Sequence, residues 1–133
     1  MKGMIKRIKE AFFLRHLHSY RYATAGIKHT LRTQVNIWVQ IAVGLLVILA
    51  AVYGHLSRWE IGLLVLTVGA VVAAEMFNTA LEEILDLIEK KHHLKVKVAK
   101  DIAAGAVLVL AFTSLLIGIL ILLPPLFRAL FGL

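Results

Sequence analysis

Four polar residues break into an apolar stretch of this chain at helical spacing. Glu75 closes a run of fourteen uncharged residues, 61–74, and Asn78, Glu82 and Asp86 follow at +3, +7 and +11. At about 3.6 residues per turn the four share one helix face, with Glu75 and Glu82 roughly 10 Å apart along the axis. A carboxylate at the edge of a membrane-length apolar segment is costly and marks a functional site by default. Two carboxylates so placed can divide labour. The deeper one, Glu75, is suited to accept a proton, because desolvation makes a carboxylate a stronger base near neutral pH. The shallower one, Glu82, can stay ionised and hold a hard cation such as Mg²⁺. Asn78 lies between them and can orient either. Lys100 offers positive charge to a transferring phosphoryl group, which needs clamping more than covalent chemistry. The sequence contains no Gly-rich phosphate loop, so a nucleotide would be held by side chains and helix ends.

Blander readings compete at several of these positions. Glu82 and Glu83 can be plain solvated residues at a helix exit, a reading that suits Glu83 better than Glu82. Asp86 can pair with Lys90 at i+4. Lys100 and Asp101 can be a charge pair at the start of a span, and His92 and His93 loop residues. For Glu75 the bland reading is an interhelical hydrogen bond, the weaker one for so deep a carboxylate.

Positioning such a face takes helices in a membrane. The chain has 133 residues, 60% of them hydrophobic, with a mean hydropathy of +0.85. That is too apolar for an ordinary soluble domain and leaves room for one domain, 1–133. Residues 33–57 carry no charge, 61–81 carry only Glu75, and 102–127 carry none. Each can cross about 30 Å of hydrocarbon as a helix. The fold class is therefore an all-α membrane protein, with membrane helices over about 35–55, 60–90 and 100–123. Asn36 and Gln40 push the apolar core of the first span to begin near Ile41. Ser57 followed by Glu60 reads as a capping box opening the second span. Pro124-Pro125 is expected to end the third. Its small residues, Ala103, Ala104, Gly105, Ala106 and Ala111, suit close helix packing. The segment around 94–98 reads as a short loop.

Residues 1–32 read as an amphipathic surface helix, with Ile5, Ile8, Phe12 and Phe13 opposite Lys2, Lys6, Lys9 and Arg15. Gly26 in it suggests a bend or close approach. Residues 1–33 hold eight Lys/Arg against one acid, while the turn between the first two spans holds only Arg58 and Glu60. The positive-inside rule puts the N-terminus and the 88–101 loop in the cytoplasm of a multi-pass plasma-membrane protein. The basic tail then serves anionic lipid headgroups, and no nucleic-acid partner is expected. With no cysteine, disulfides and thiolate metal sites are excluded. Three spans are few for a closed site, so a homo-oligomer is expected.

The block Glu75-Met76-Phe77-Asn78-Thr79-Ala80-Leu81-Glu82, then Asp86, then Ala99-Lys100-Asp101 and Gly105-Ala106, strongly resembles the prokaryotic diacylglycerol kinase and undecaprenol kinase family. That family carries an E-x-x-N-S/T-A-I/L-E-x-x-x-D pattern followed farther on by A-K-D, and the resemblance runs from about 15 to 123. It implies a homotrimeric bundle in the bacterial inner membrane, with a cytoplasmic-side site that uses ATP and Mg²⁺ to phosphorylate a lipid hydroxyl. By resemblance Glu75 is the catalytic base, supported by Asn78, and Glu82 ligates the metal. Lys100 and Asp101 meet the nucleotide, Lys91 to His93 form the loop that covers it, and Arg15, Tyr22 and Lys28 frame the site. The sequence departs from the family at Gln34, which stands where the family has a second metal-binding Glu, and at Leu94, where many relatives have Pro. A Gln carbonyl can ligate Mg²⁺ without adding charge, so metal affinity should fall. The Phe77–Glu82 block and the His92-His93 pair look more like the undecaprenol branch than the diacylglycerol branch. Two other classes stay open: a non-catalytic relative silenced at Gln34, and a small proton-coupled transporter built on Glu75. The transporter leaves Lys100-Asp101 without a role.

Overall fold

Long apolar runs without internal breakers fold into helices, because inside a membrane only a helix pairs every backbone group within its own segment. The computed structural model describes residues 2–89 and 93–132, and every described element is an α-helix. In chain order these are α1 (Lys2–Thr33), α2 (Val35–Tyr53), α3 (Arg58–Ile88) and α4 (Leu94–Phe131). α2, α3 and α4 are each long and apolar enough to cross a membrane, and the protein is membrane-embedded. The chain divides into two units, Met1–Thr33 and Gln34–Leu133. The first is α1 alone. It runs unbroken through Gly26, where an added Cβ would meet nothing within 4 Å among the described residues. The bend expected there is absent because a lone Gly weakens a helix by only about 1 kcal/mol and need not break it.

The second unit is built around α3, which packs against both α2 and α4. Its buried residues are Leu64, Val71, Glu75, Asn78 and Thr79. Those of α2 are Ile37, Gly44 and Ala51. Steps of three, four and seven keep these positions on one face of each helix. At Gly44 α2 and α3 pack tightly: a Cβ built on it would lie 2.5 Å from Val68 Cγ1. The α2–α3 turn is closed by a Schellman motif. Leu56 N–H donates to Ala51 O at 3.0 Å and His55 N–H to Val52 O at 3.1 Å. His55 holds φ 52° there, a left-handed position that Gly normally fills. On the far side of the turn the capping box forms in full. Ser57 N–H donates to Glu60 Oε2 at 2.8 Å, and Glu60 N–H to Ser57 Oγ at 3.3 Å.

α4 differs from the sequence expectation at both ends. It begins at Leu94 rather than near 100, because His93 caps it: Nδ1 accepts from Lys95 N–H at 3.2 Å. The expected 94–98 loop is its first turn. It also continues through Pro124 and Pro125 to Phe131, and Gly132 closes it in the left-handed conformation at φ 66°. Proline's fixed φ is helical, so what the two rings remove is hydrogen bonds to the carbonyls one turn back. Nor does Gly105 make a close contact. A Cβ there would meet nothing within 4 Å among the described residues, and the tight approach falls on α2 instead.

Gly44→Ala should therefore cost about 1–3 kcal/mol through overpacking against Val68. Thermal unfolding in detergent micelles checks this. The double variant Gly44→Ala/Val68→Ala should recover most of the loss, and strictly additive losses would place the strain elsewhere.

Candidate functional site

The polar face of α3 is turned into the chain, and its burial is graded. Glu75 is 3% exposed and Asn78 7%, Glu82 is half-buried, and Asp86 reaches 64% side-chain exposure. The same face thus leads from a dry interior to its exposed end within three turns.

Each carboxylate has its partner on another element. Gln40 of α2 donates from Nε2 to Glu75 Oε2 at 2.8 Å. The Thr79 hydroxyl donates to the Glu75 backbone carbonyl at 2.8 Å, which absorbs the one hydroxyl on the buried face. Glu82 is held on both oxygens. Asn78 Nδ2 donates to Oε1 at 3.1 Å, and Gln34 Nε2 to Oε2 at 3.4 Å. Gln34 occupies the break before α2 with extended backbone (φ −109°, ψ 113°), and its side chain makes no capping bond. An N-cap side chain ordinarily satisfies a free N–H of the first turn. Here it crosses to α3 instead. One turn past Glu82, Asp86 Oδ1 accepts from Lys100 Nζ of α4 at 2.5 Å. Asp101 turns the other way and pairs along its own helix with Lys97 at 3.3 Å. The two neighbours Lys100 and Asp101 are therefore not paired with each other.

A cavity of about 350 Å³ opens beside Glu75, lined by Asn36, Val39 and Gln40 of α2, Glu75 and Asn78 of α3, and Ala104, Val107, Leu108 and Ala111 of α4. Glu75 is the one ionisable residue in that lining. A second cavity of about 230 Å³ shares Val39, Gln40 and Ala111 with the first and continues between apolar residues such as Val43, Val47, Leu64 and Leu115. A chamber holding one carboxylate and three amides among apolar residues thus joins an apolar slot at Gln40. That suits a molecule with a hydroxyl head and a hydrocarbon tail. Two amide oxygens, Gln40 Oε1 and Asn78 Oδ1, are buried with no hydrogen-bond partner among the described residues.

Residues 21–122 match the family described as prokaryotic diacylglycerol kinase. The chain belongs to this family. Over 111 residues, 83% of this chain and 63% of the other, it is 42% identical to a protein of Synechocystis named diacylglycerol kinase. Over 112 residues, 84% of this chain and 91% of the other, it is 41% identical to a protein of Bacillus subtilis named undecaprenol kinase. The chain thus spans less than two thirds of the first relative's length and nearly all of the second's.

Of the residues the family motif singles out, the structure brings together Gln34, Glu75, Asn78 and Glu82, and ties Lys100 to the same face through Asp86. His93 is the cap of α4. Tyr22 and Lys28 are exposed on α1, where the Tyr22 ring stacks on His18 with centroids 6.5 Å apart. Lys91 and the side chain of Arg15 lie outside the described residues. Gln40 escaped the sequence reading, which took it only as a polar residue delaying the first span. Its signal was position: it lies three residues from Ile37 and four from Gly44, on the buried face of α2.

The residues around Glu82 fit a hard divalent cation. The donors there are oxygens, one carboxylate and the Gln34 amide, and amide rotation can turn the Gln34 carbonyl toward a cation. No group of three or more His, Cys, Asp or Glu is gathered among the described residues, so nucleotide phosphates and water would complete the sphere. Gln34→Glu sets a second carboxylate against Glu82. In chelator the variant should melt below the parent through like-charge repulsion, and Mg²⁺ should raise its Tm more than the parent's. An equal Mg²⁺ response in both would remove Gln34 from the cation site.

Proposed function

We propose that this chain transfers the terminal phosphoryl group of ATP to the hydroxyl of a membrane lipid, with undecaprenol the preferred acceptor. The observation that carries the reading is Glu75, buried, held by Gln40, and the one ionisable residue lining a chamber that continues into an apolar slot. In that chamber Glu75 takes the proton from the lipid hydroxyl. The freed oxygen bonds to the terminal phosphorus as the bond to the ADP oxygen breaks. Lys100 and Asp101 hold the nucleotide at the end of the α3 face where burial gives way to exposure, together with Lys91 and His93. Asn78 keeps the Glu82 carboxylate aimed. Mg²⁺, held by Glu82 and Gln34, supplies charge neutralisation to the phosphates when bound.

The resemblance of the Phe77–Glu82 block and the His92-His93 pair to the undecaprenol branch supports a polyprenol acceptor. Diacylglycerol remains the second reading, since the two relatives are named for different lipids. In this reading α1 lies in the cytoplasmic interface, and three copies complete the assembly. The excess of basic residues in the first third of the chain supports that orientation.

The test is transfer from Mg-ATP to undecaprenol and to diacylglycerol, side by side in mixed micelles. Glu75→Gln should lower the rate by about 10²–10⁴-fold while ATP still binds, as for loss of a general base. Lys100→Met should weaken ATP binding. Better use of diacylglycerol would reverse the acceptor assignment and leave the mechanism. No transfer to either lipid would favour a chain silenced at Gln34.

A further inference from the structure

We propose that Gln40 is the positioning residue for Glu75: it selects the carboxylate oxygen that meets the acceptor hydroxyl. The inference rests on the reading of Glu75 as general base. A buried carboxylate without a donor takes up a proton and stops being a base. The donor here is the Gln40 amide, whose Nε2 lies 2.8 Å from Glu75 Oε2. That bond occupies one oxygen and leaves the other, Oε1, to accept the hydroxyl proton.

The side chain that makes this bond does so at a local cost. An ionised carboxylate only accepts, so the amide must present its NH₂ group. Its own oxygen is then buried with no partner among the described residues. Unpaired buried acceptors destabilise a fold, and an apolar residue of similar volume would avoid the penalty. The arrangement makes sense when it serves Glu75. Gln40 is also shared by the chamber beside Glu75 and the apolar slot. It therefore stands where the head of a lipid alcohol would join its tail.

Among the described residues no other side chain donates to the Glu75 carboxylate. Toward the chamber α2 presents Asn36 and Val39 beside Gln40, α3 presents Asn78, and α4 presents only apolar residues, Ala104 through Ala111. Glu82 is engaged by Asn78 and Gln34, and Lys100 by Asp86. Neither of these charged residues lines the chamber.

The experiment measures kcat, KM for lipid and for ATP, and the pH dependence of kcat in full-length protein carrying Gln40→Leu or Gln40→Glu. Gln40→Leu should lower kcat about 10- to 100-fold, as for loss of a hydrogen bond to a charged group, with KM for ATP unchanged. Its acidic limb should move to higher pH, because the carboxylate has lost the donor that favours its charged form. Gln40→Glu places two carboxyls within hydrogen-bond reach, so they share a proton and the limb should also move up. Isotope-edited infrared titration of the Glu75 carboxyl band, with Glu75→Gln as blank, should show the same displacement without turnover. An acidic limb and a carboxyl titration that superimpose on the parent's in both variants would overturn the proposal, even if Tm falls. Should Gln40→Leu fail to fold, the near-isosteric Gln40→Glu gives the same readout. An active Glu75→Gln would instead overturn the general-base reading, and this inference with it.

Discussion

A carboxylate can sit in the dry centre of a helical unit only if a donor from another helix meets it, and that requirement shapes this protein. Glu75 has its donor in Gln40, one helix away at 2.8 Å. The contact places α2 and α3 in register, because both residues lie on the buried stripes that carry the packing. Above them Gly44 lets the two backbones close against Val68. Below them Gln34 crosses to Glu82. Three contacts of two kinds, amide to carboxylate, glycine to valine and again amide to carboxylate, run down one interface. Displacing one helix by a turn would strand the Glu75 charge, which costs far more than any apolar contact in the interface.

The chemistry draws on the gradient this creates along α3. Glu75, Asn78, Glu82 and the Asp86–Lys100 pair follow in order of rising exposure. A proton acceptor benefits from exclusion of water, whereas a cation and polyphosphate must exchange with it. One helix supplies both environments because it continues beyond the apolar interior as an uninterrupted rod. No loop intervenes to blur the spacing of about 10 Å between the two glutamates.

The chain is thinly packed against itself. Only 17%, 17% and 6% of the apolar windows of α2, α3 and α4 are buried within it. Residues such as Tyr53 and Trp59, 87% and 90% exposed at the α2–α3 turn, suit the membrane boundary, where one side of the ring is apolar and the other wet. Lipid tails are as apolar as leucine, so such faces carry no hydrophobic penalty in a bilayer. The stability of the unit rests on close approach and on polar pairs rather than on a large core.

Periodicity and charge spacing made the helices, the Ser57 capping box and the Glu75–Asn78–Glu82 face legible in the sequence, since these depend on contacts within a few residues. The start of α4 at Leu94 was hidden because a His cap has little sequence signal. The run through Pro124-Pro125 was hidden because a local rule against proline ignores a φ that is already helical. Tertiary structure alone decided the partners. Asp86 is engaged by Lys100 across the helix pair, Lys100 is not paired with its neighbour Asp101, and Gln40 proved to be the donor to Glu75. The physical reason is separation along the chain. An i,i+4 rule sees one turn, whereas Gln40 and Glu75 stand 35 residues apart and Lys100 and Asp86 stand 14 apart. The sequence by itself determined which polar residues share one face of α3, and only the packing of three helices decided what that face meets.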